Sequence, residues 1–240
     1  MRKFLAVFWI LVSSYSVAYA GDVVAVYSTP SDSAVEALAC GGKYQHGIKY
    51  TEAHAFGPAA VPHMRRILAD EGMRHCWENA ICIVSAIGSP DSYEILRGFV
   101  WDRFRGEVDE PTFGALEAAT VTIGFTCPSR PAVVMAYLEQ GANPQRWKEL
   151  PWHYSKLGSA EMRERLSMFC IHGLSYCSDA KARSILLSLL HKPYARRHRE
   201  AIRSSLKVQS KVAAMGLYEY ERAASVGSRS GTTPPPPSQK

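Results

Sequence analysis

Glycine closes one apolar-striped segment after another along this chain, and that punctuation constrains the fold more than any other feature. "SAVEALACGG" ends at Gly41 and Gly42, "NAICIVSAIG" at Gly88, "ALEAATVTIG" at Gly124, "RLSMFCIHG" at Gly173 and "SKVAAMG" at Gly216. Counted from Gly42, the successive stops lie 46, 36, 49 and 43 residues apart. Each segment carries apolar residues at helical spacing; between Cys76 and Pro90 the stripe runs Cys76, Ala80, Ile83, Val84, Ile87. Glycine adopts a left-handed C-cap conformation without steric cost and lets the next helix turn back tightly, so each stop predicts a helix end.

Helix starts alternate with these stops. "GPAAVPHMRRILAD" begins with Pro58, "SPDSYEILRGFVWDRF" with Ser89-Pro90-Asp91, "SRPAVVMAYLEQG" with Ser129-Arg130-Pro131 and "SDAKARSILLSLLH" with Ser178-Asp179. Ser or Asp as N-cap with Pro in the first turn is favourable start chemistry. The pattern is therefore helix, turn, helix, turn, at the period of two-helix repeats. Neither helix of a pair can bury its stripe alone, so the pairs must stack. The sequence predicts an all-α fold, an α-solenoid of about four stacked antiparallel helix pairs over residues 31–224. Strand signal is confined to "GDVVAVYST", which lies within an N-terminal arm, residues 21–30.

The run "GPAAVPHMRRILADEGMRHCWENAICIVSAIGSPDSYEILRGFV" resembles a HEAT repeat of the short bacterial type. The resemblance rests on its Gly-x-x-Ala-x-Pro opening, its Asn-Ala-Ile core helix and its Ile-Gly-x-Pro exit. It is best over Gly57 to Val100, fair over Pro111 to Gly141 and degenerate beyond. It implies a helical-repeat fold and no particular chemistry.

The ends differ from the middle. Met1-Arg2-Lys3, an apolar run from Phe4 to Val12 and the small-x-small pattern Ala18-Tyr19-Ala20 predict a signal peptide over 1–20, cleaved before Gly21. The chain is then exported, periplasmic or secreted. Losing Arg2 and Lys3 lowers the formal charge from +6 to +4, with 26 basic against 22 acidic side chains. That balance gives no basic field of the kind nucleic acid requires. Residues 225–240, "SVGSRSGTTPPPPSQK", predict a disordered proline-rich tail.

Six cysteines follow the signal, an even number that suits an oxidising compartment. Cys127 lies three residues after Gly124 and Cys177 four after Gly173, so both reach one level of adjacent units. This predicts a Cys127–Cys177 disulfide, with Cys40–Cys82 as the second pair and Cys76 and Cys170 as buried thiols. His46, His54, His63 and His75 lie near Cys40 and Cys76 in sequence, at spacings that match no compact metal site. No HExxH, GxSxG or Gly-rich phosphate loop is present, so no catalytic residue, metal or cofactor is assigned. Glu117, within "ALEAAT", reads as a solvent-facing helical glutamate.

Two surface features remain. The longest interval contains an insertion, "GANPQRWKELPWHYSKLGS", with Trp147, Trp152, His153 and Tyr154 beside two prolines. Insertions in repeat arrays lie on one face, often the binding face, and Trp and Tyr are favoured anchors. These four residues are the candidate protein-binding site, although they can also pack back as a lid on their own repeat. Arg196, Arg199, Arg203, Lys207 and Lys211 recur at steps of three and four, predicting one basic stripe on a helix that could meet an anion. The expected function is a non-enzymatic, cofactor-free scaffold or adaptor for a protein partner in the cell envelope. The alternatives are an enzyme or enzyme accessory acting on envelope glycans through the 141–159 insertion, and an electrostatic module binding an anionic envelope surface.

Overall fold

In the computed structural model of the chain, residues 32–41 and 50–227 are described. The predicted signal peptide, the N-terminal arm, His46, Gly42 and residues 228–240 of the predicted tail lie outside them. The described chain is all-α apart from one two-residue parallel ladder. In order it forms α1 (Asp32–Cys40), α2 (Tyr50–Ala55), α3 (Val61–Ala69), α4 (Trp77–Ile87), α5 (Pro90–Trp101), β1 (Gly106–Glu107), α6 (Glu110–Thr122), α7 (Pro131–Gly141), β2 (Trp152–His153), α8 (Ser159–Leu174), α9 (Ala180–Leu189), α10 (Arg199–Met215) and α11 (Leu217–Gly227). The last helix runs three residues into the stretch expected to be tail. No described helix is long and apolar enough to cross a membrane.

The starts follow the expected chemistry. Pro90 and Pro111 stand in the first turns of α5 and α6, where a missing N–H costs nothing. Asp109 accepts from the Thr112 amide at 3.1 Å and Asp179 from the Lys181 amide at 2.7 Å, capping α6 and α9. Helix α4 shows why the pattern was informative. Trp77, Ala80, Ile81, Ile83, Val84 and Ile87 are all buried, because α4 is packed on α2, α3, α5 and α6 at once. The Trp77 indole donates to the Ile67 carbonyl at 3.0 Å, closing its polar edge inside the core.

The stops obey a more varied logic than one cap motif. Among the described residues, only Gly88 ends its helix in the left-handed conformation, with φ 61° and ψ 26°. Gly216 separates α10 from α11 at φ 82° and ψ 156°, a region that essentially only glycine occupies. Gly124 and Gly173 are required for another reason, the close approach of two backbones. A Cβ on Gly124 would lie 2.1 Å from the Gly173 carbonyl oxygen, and one on Gly173 would lie 2.8 Å from Leu138 Cδ2. The 3-10 turn Ile123–Thr126 that follows α6 therefore sits directly on the end of α8.

Helix α6 packs on α4 and α8, and α8 packs on α10. Beyond Gly216 the chain turns back, so that α11 meets α2 near the other end of the described chain. An aromatic cluster fills that junction. Tyr50 stacks on His54 and meets Phe125 and Tyr218 edge-on, and Phe125 meets Tyr176 at 4.5 Å. Burial, then the nearby Glu221, pushes the Tyr50 phenol up to about 12.

The backbone contact is testable against an open glycine. Gly124→Ala forces α6 and α8 apart and is expected to lower the unfolding free energy by about 2–4 kcal/mol in urea titration. Gly158→Ala, at a glycine whose added Cβ meets nothing within 4 Å, should cost less than about 1 kcal/mol.

Candidate functional site

The insertion over residues 141–159 carries the candidate anchors Trp147, Trp152, His153 and Tyr154. Asn143 accepts from the Gln145 amide at 3.1 Å and, with Pro144 behind it, starts a 3-10 segment over Pro144–Glu149. Trp147 turns inward from that segment. It is 2% exposed, donates to the Gly141 carbonyl at 2.7 Å and stacks on Trp101 with ring centroids 5.5 Å apart. Gly141 must be glycine here, because a Cβ would lie 2.4 Å from Cys170 Sγ and 3.0 Å from the Trp147 ring.

Further on, Trp152 and His153 pair with Gly106 and Glu107 as the parallel ladder. The Gly106 amide donates to the Pro151 carbonyl and the Val108 amide to the His153 carbonyl, both at 2.9 Å. Trp152 is also 2% exposed and donates to the Val100 carbonyl at 2.7 Å. Tyr154 is buried, stacked on Phe113 at 4.3 Å. The anchor reading of Trp147, Trp152 and Tyr154 is thus corrected. Trp147 packs on Trp101 and the end of α7, Trp152 and Tyr154 fill the space between the end of α5 and the start of α6, and only His153 stays at the surface. The reason is that α5 and α6 are joined by an irregular stretch whose apolar flank needs a cover, and the insertion supplies it.

What the insertion does expose is a wall. Between α5, α7 and the 3-10 segment lies a cleft of about 680 Å³. Its floor is made by Tyr93, Trp101 and Tyr137, and Ala132, Val133, Ala136 and Pro151 line its sides. Val133 stands 42% exposed there. The Trp101 indole donates to the Tyr137 hydroxyl at 3.1 Å, which fixes both rings. Burial holds the Tyr137 phenol well above its ordinary range, so it stays a neutral hydroxyl. Tyr93 meets Tyr137 edge-on at 6.0 Å.

The rim is charged with both signs. The Arg146 guanidinium lies 4.4 Å from the Trp101 ring centre and donates to Glu149 at 2.6 Å. Arg97 reaches Glu94 at 3.4 Å and Asp102 at 3.5 Å. Arg130 donates to Glu94 at 2.5 Å and stands over Tyr93. The described residues lining the cleft include no Ser, Cys, His or Lys. Chemically, the arrangement offers an aromatic floor for an apolar group and a rim of guanidinium donors and carboxylate acceptors. The sequence did not single out Trp101, Tyr93 or Tyr137, since aromatic residues at helical spacing look the same whether they face a core or a cleft.

The remaining candidates fall elsewhere. Arg199, Arg203, Lys207 and Lys211 are exposed along α10, whose Ile202, Ser205, Gln209 and Val212 face inward. Arg196 belongs to the preceding 3-10 segment Pro193–His198, so the stripe on α10 has four cations and not five. Arg203 is ion-paired with Glu200 at 2.6 Å. Glu117 is not solvent-facing. Its side chain is 13% exposed and paired with Arg165, and burial raises its carboxyl pKa against the opposing pull of that arginine.

The cysteines also need a correction. Cys40 is bonded to Cys76, not to Cys82, which is a free and half-buried thiol. The level count from glycines assumed that Cys76 belongs to the same helix as Cys82. The 3-10 segment Glu71–Cys76 instead puts Cys76 at the N-cap of α4, beside the last residue of α1. Cys127 and Cys177 are both buried and are not bonded to each other in the structure. Cys40, His75 and Cys76 bring donor atoms within 4.8 Å of one another. With both sulfurs in the disulfide, the trio offers no thiolate to a metal.

Comparison with protein-family models, curated proteins and solved structures finds no match to this chain.

The packing of the insertion predicts the behaviour of its tryptophans. Trp152→Ala is expected to lower the unfolding free energy by about 3–5 kcal/mol, the cost of emptying a buried aromatic site. An exposed anchor would change thermal and urea unfolding by less than about 0.5 kcal/mol, so equilibrium denaturation separates the two.

Proposed function

We propose that this chain is an exported protein-binding module, an adaptor or scaffold of the cell envelope, that takes an extended peptide segment of its partner in the Trp101 cleft. The single observation that carries the reading is the composition of that cleft. The floor has three aromatic rings, two of them tied by the Trp101–Tyr137 hydrogen bond and the third, Tyr93, edge-on to Tyr137, and paired charges of both signs surround it. Such a surface suits an apolar, aromatic or prolyl side chain whose flanking backbone and polar groups are met by the rim. Rigid aromatic groups lose little conformational freedom on binding, which favours affinity.

The scaffold in this proposal is a HEAT-like array. Contacts within α3–α4, α5–α6, α7–α8 and α9–α10 support four helix pairs, and contacts α4–α6, α6–α8 and α8–α10 support their stacking. Helices α1, α2 and α11 then act as the covered ends. The Cys40–Cys76 disulfide supports an oxidising destination, in keeping with the leader-like first twenty residues.

The test is a selection of displayed peptides on the immobilised protein, followed by titration of the winners. Enrichment of peptides with an aromatic or prolyl anchor is expected. Val133→Glu places a charge at the exposed side of the cleft and should weaken them at least about tenfold, roughly 1.4 kcal/mol, at unchanged helical content. No enrichment, or peptides indifferent to Val133→Glu, would overturn the reading. Cell-wall oligosaccharides that bind in a Val133→Glu-sensitive way would put the glycan-directed alternative in its place.

A further inference from the structure

We propose that Cys127 and Cys177 close a second disulfide in the exported protein, tying the turn after α6 to the turn after α8. The two residues are 50 positions apart in sequence, yet both converge on one backbone oxygen. The Cys127 amide donates to the Gly124 carbonyl at 3.1 Å, and the Cys177 thiol approaches the same oxygen at 3.9 Å. The cause is the contact of Gly124 with Gly173, which brings the two turns together without intervening side chains. Cys127 is 2% exposed and Cys177 is fully buried, so the bridge would lie inside the core.

The interaction with Cys127, and then burial, hold the Cys177 thiol well above its ordinary pKa. The other unbonded cysteines have different surroundings. Cys82 is pushed up to about 12 by burial and then by Glu78, and Cys170 is raised by burial alone. No cysteine is among the groups acting on either, so neither has a partner sulfur at hand and both remain thiols.

The same burial dictates when the bridge forms. The pair is enclosed in the folded protein, so oxidation takes place while the chain folds. One of the two thiolates attacks a small-molecule disulfide, here glutathione disulfide, and releases one glutathione. The second thiolate then displaces the other glutathione from the mixed disulfide. In all, the two cysteines lose two electrons and two protons, and one glutathione disulfide becomes two glutathiones. The consequence reaches the aromatic cluster, since Phe125 and Tyr176, each adjacent in sequence to this region, meet at 4.5 Å across it. Closing the bridge pins those two rings, and with them the seat of α2.

The experiment is refolding of the full chain from denaturant in a glutathione redox buffer, then alkylation in denaturant and mass spectrometry. Two alkylated cysteines, Cys82 and Cys170, and a tryptic species joining the Cys127 and Cys177 peptides are expected. A companion variant, Cys40→Ser with Cys76→Ser, isolates the second bridge. Its melting temperature should fall by roughly 5–10 °C on adding a dithiol reductant. Four alkylated cysteines in the wild type, or a companion melting temperature indifferent to reductant, would overturn the proposal. Should the companion fail to fold, the alkylation count on the wild type decides alone.

Discussion

The contact of Gly124 with Gly173 is the constraint on which the middle of the molecule depends. Two backbones approach so closely that a single added carbon on either side collides with main chain or with Leu138. Dense packing propagates such a contact, because neighbouring side chains have no free volume into which to relax. The register of α6 against α8 follows from it. So does the placement of Cys127 beside Cys177 and of Phe125 against Tyr176. A glycine that reads as a helix stop in the sequence is here the point where two helical units lock.

The second organising interaction is the folding of the insertion back against the ends of α5 and α7 and the start of α6. Trp147, Trp152 and Tyr154 each satisfy a different requirement of buried aromatic groups. Two indoles find backbone carbonyls and the tyrosine ring stacks on Phe113. Their burial leaves the outer side of the same segment to supply Arg146, Glu149 and Pro151 to the cleft. The residues that attracted attention as anchors hold the wall up, and their less conspicuous neighbours face the space a ligand would enter. The charges around the cleft are nearly all paired at the surface, where each pair is worth little to stability. Their value is in direction, since they present donors and acceptors at fixed places around an apolar floor.

The helices themselves were legible from the sequence. The apolar stripe of Cys76 to Ile87, the prolines at 90 and 131 and the acid at 179 each act through local physics, and local physics is written in neighbouring residues. The disulfide was not. Pairing Cys40 with Cys82 required one continuous helix through Cys76, and the 3-10 segment from Glu71 breaks it. That break depends on Asp70 accepting from the Gly72 amide and on Trp77 reaching back to Ile67, contacts that no helical period announces. Glu117 was misread for a related reason, because its partner Arg165 is 48 residues away on α8.

By itself the sequence determined the helical class, several of the places where helices start, and the cysteine content that suits an oxidising compartment. Those properties depend on residues within a turn or two of each other. The tertiary structure decided which glycines are caps and which are contact points, which sulfur meets which, and that Trp147 and Trp152 look inward. It also decided that Tyr93, Trp101 and Tyr137 share one cleft. These are long-range matters. A side chain's fate is set by the surface brought against it, and that surface comes from residues the local pattern cannot name.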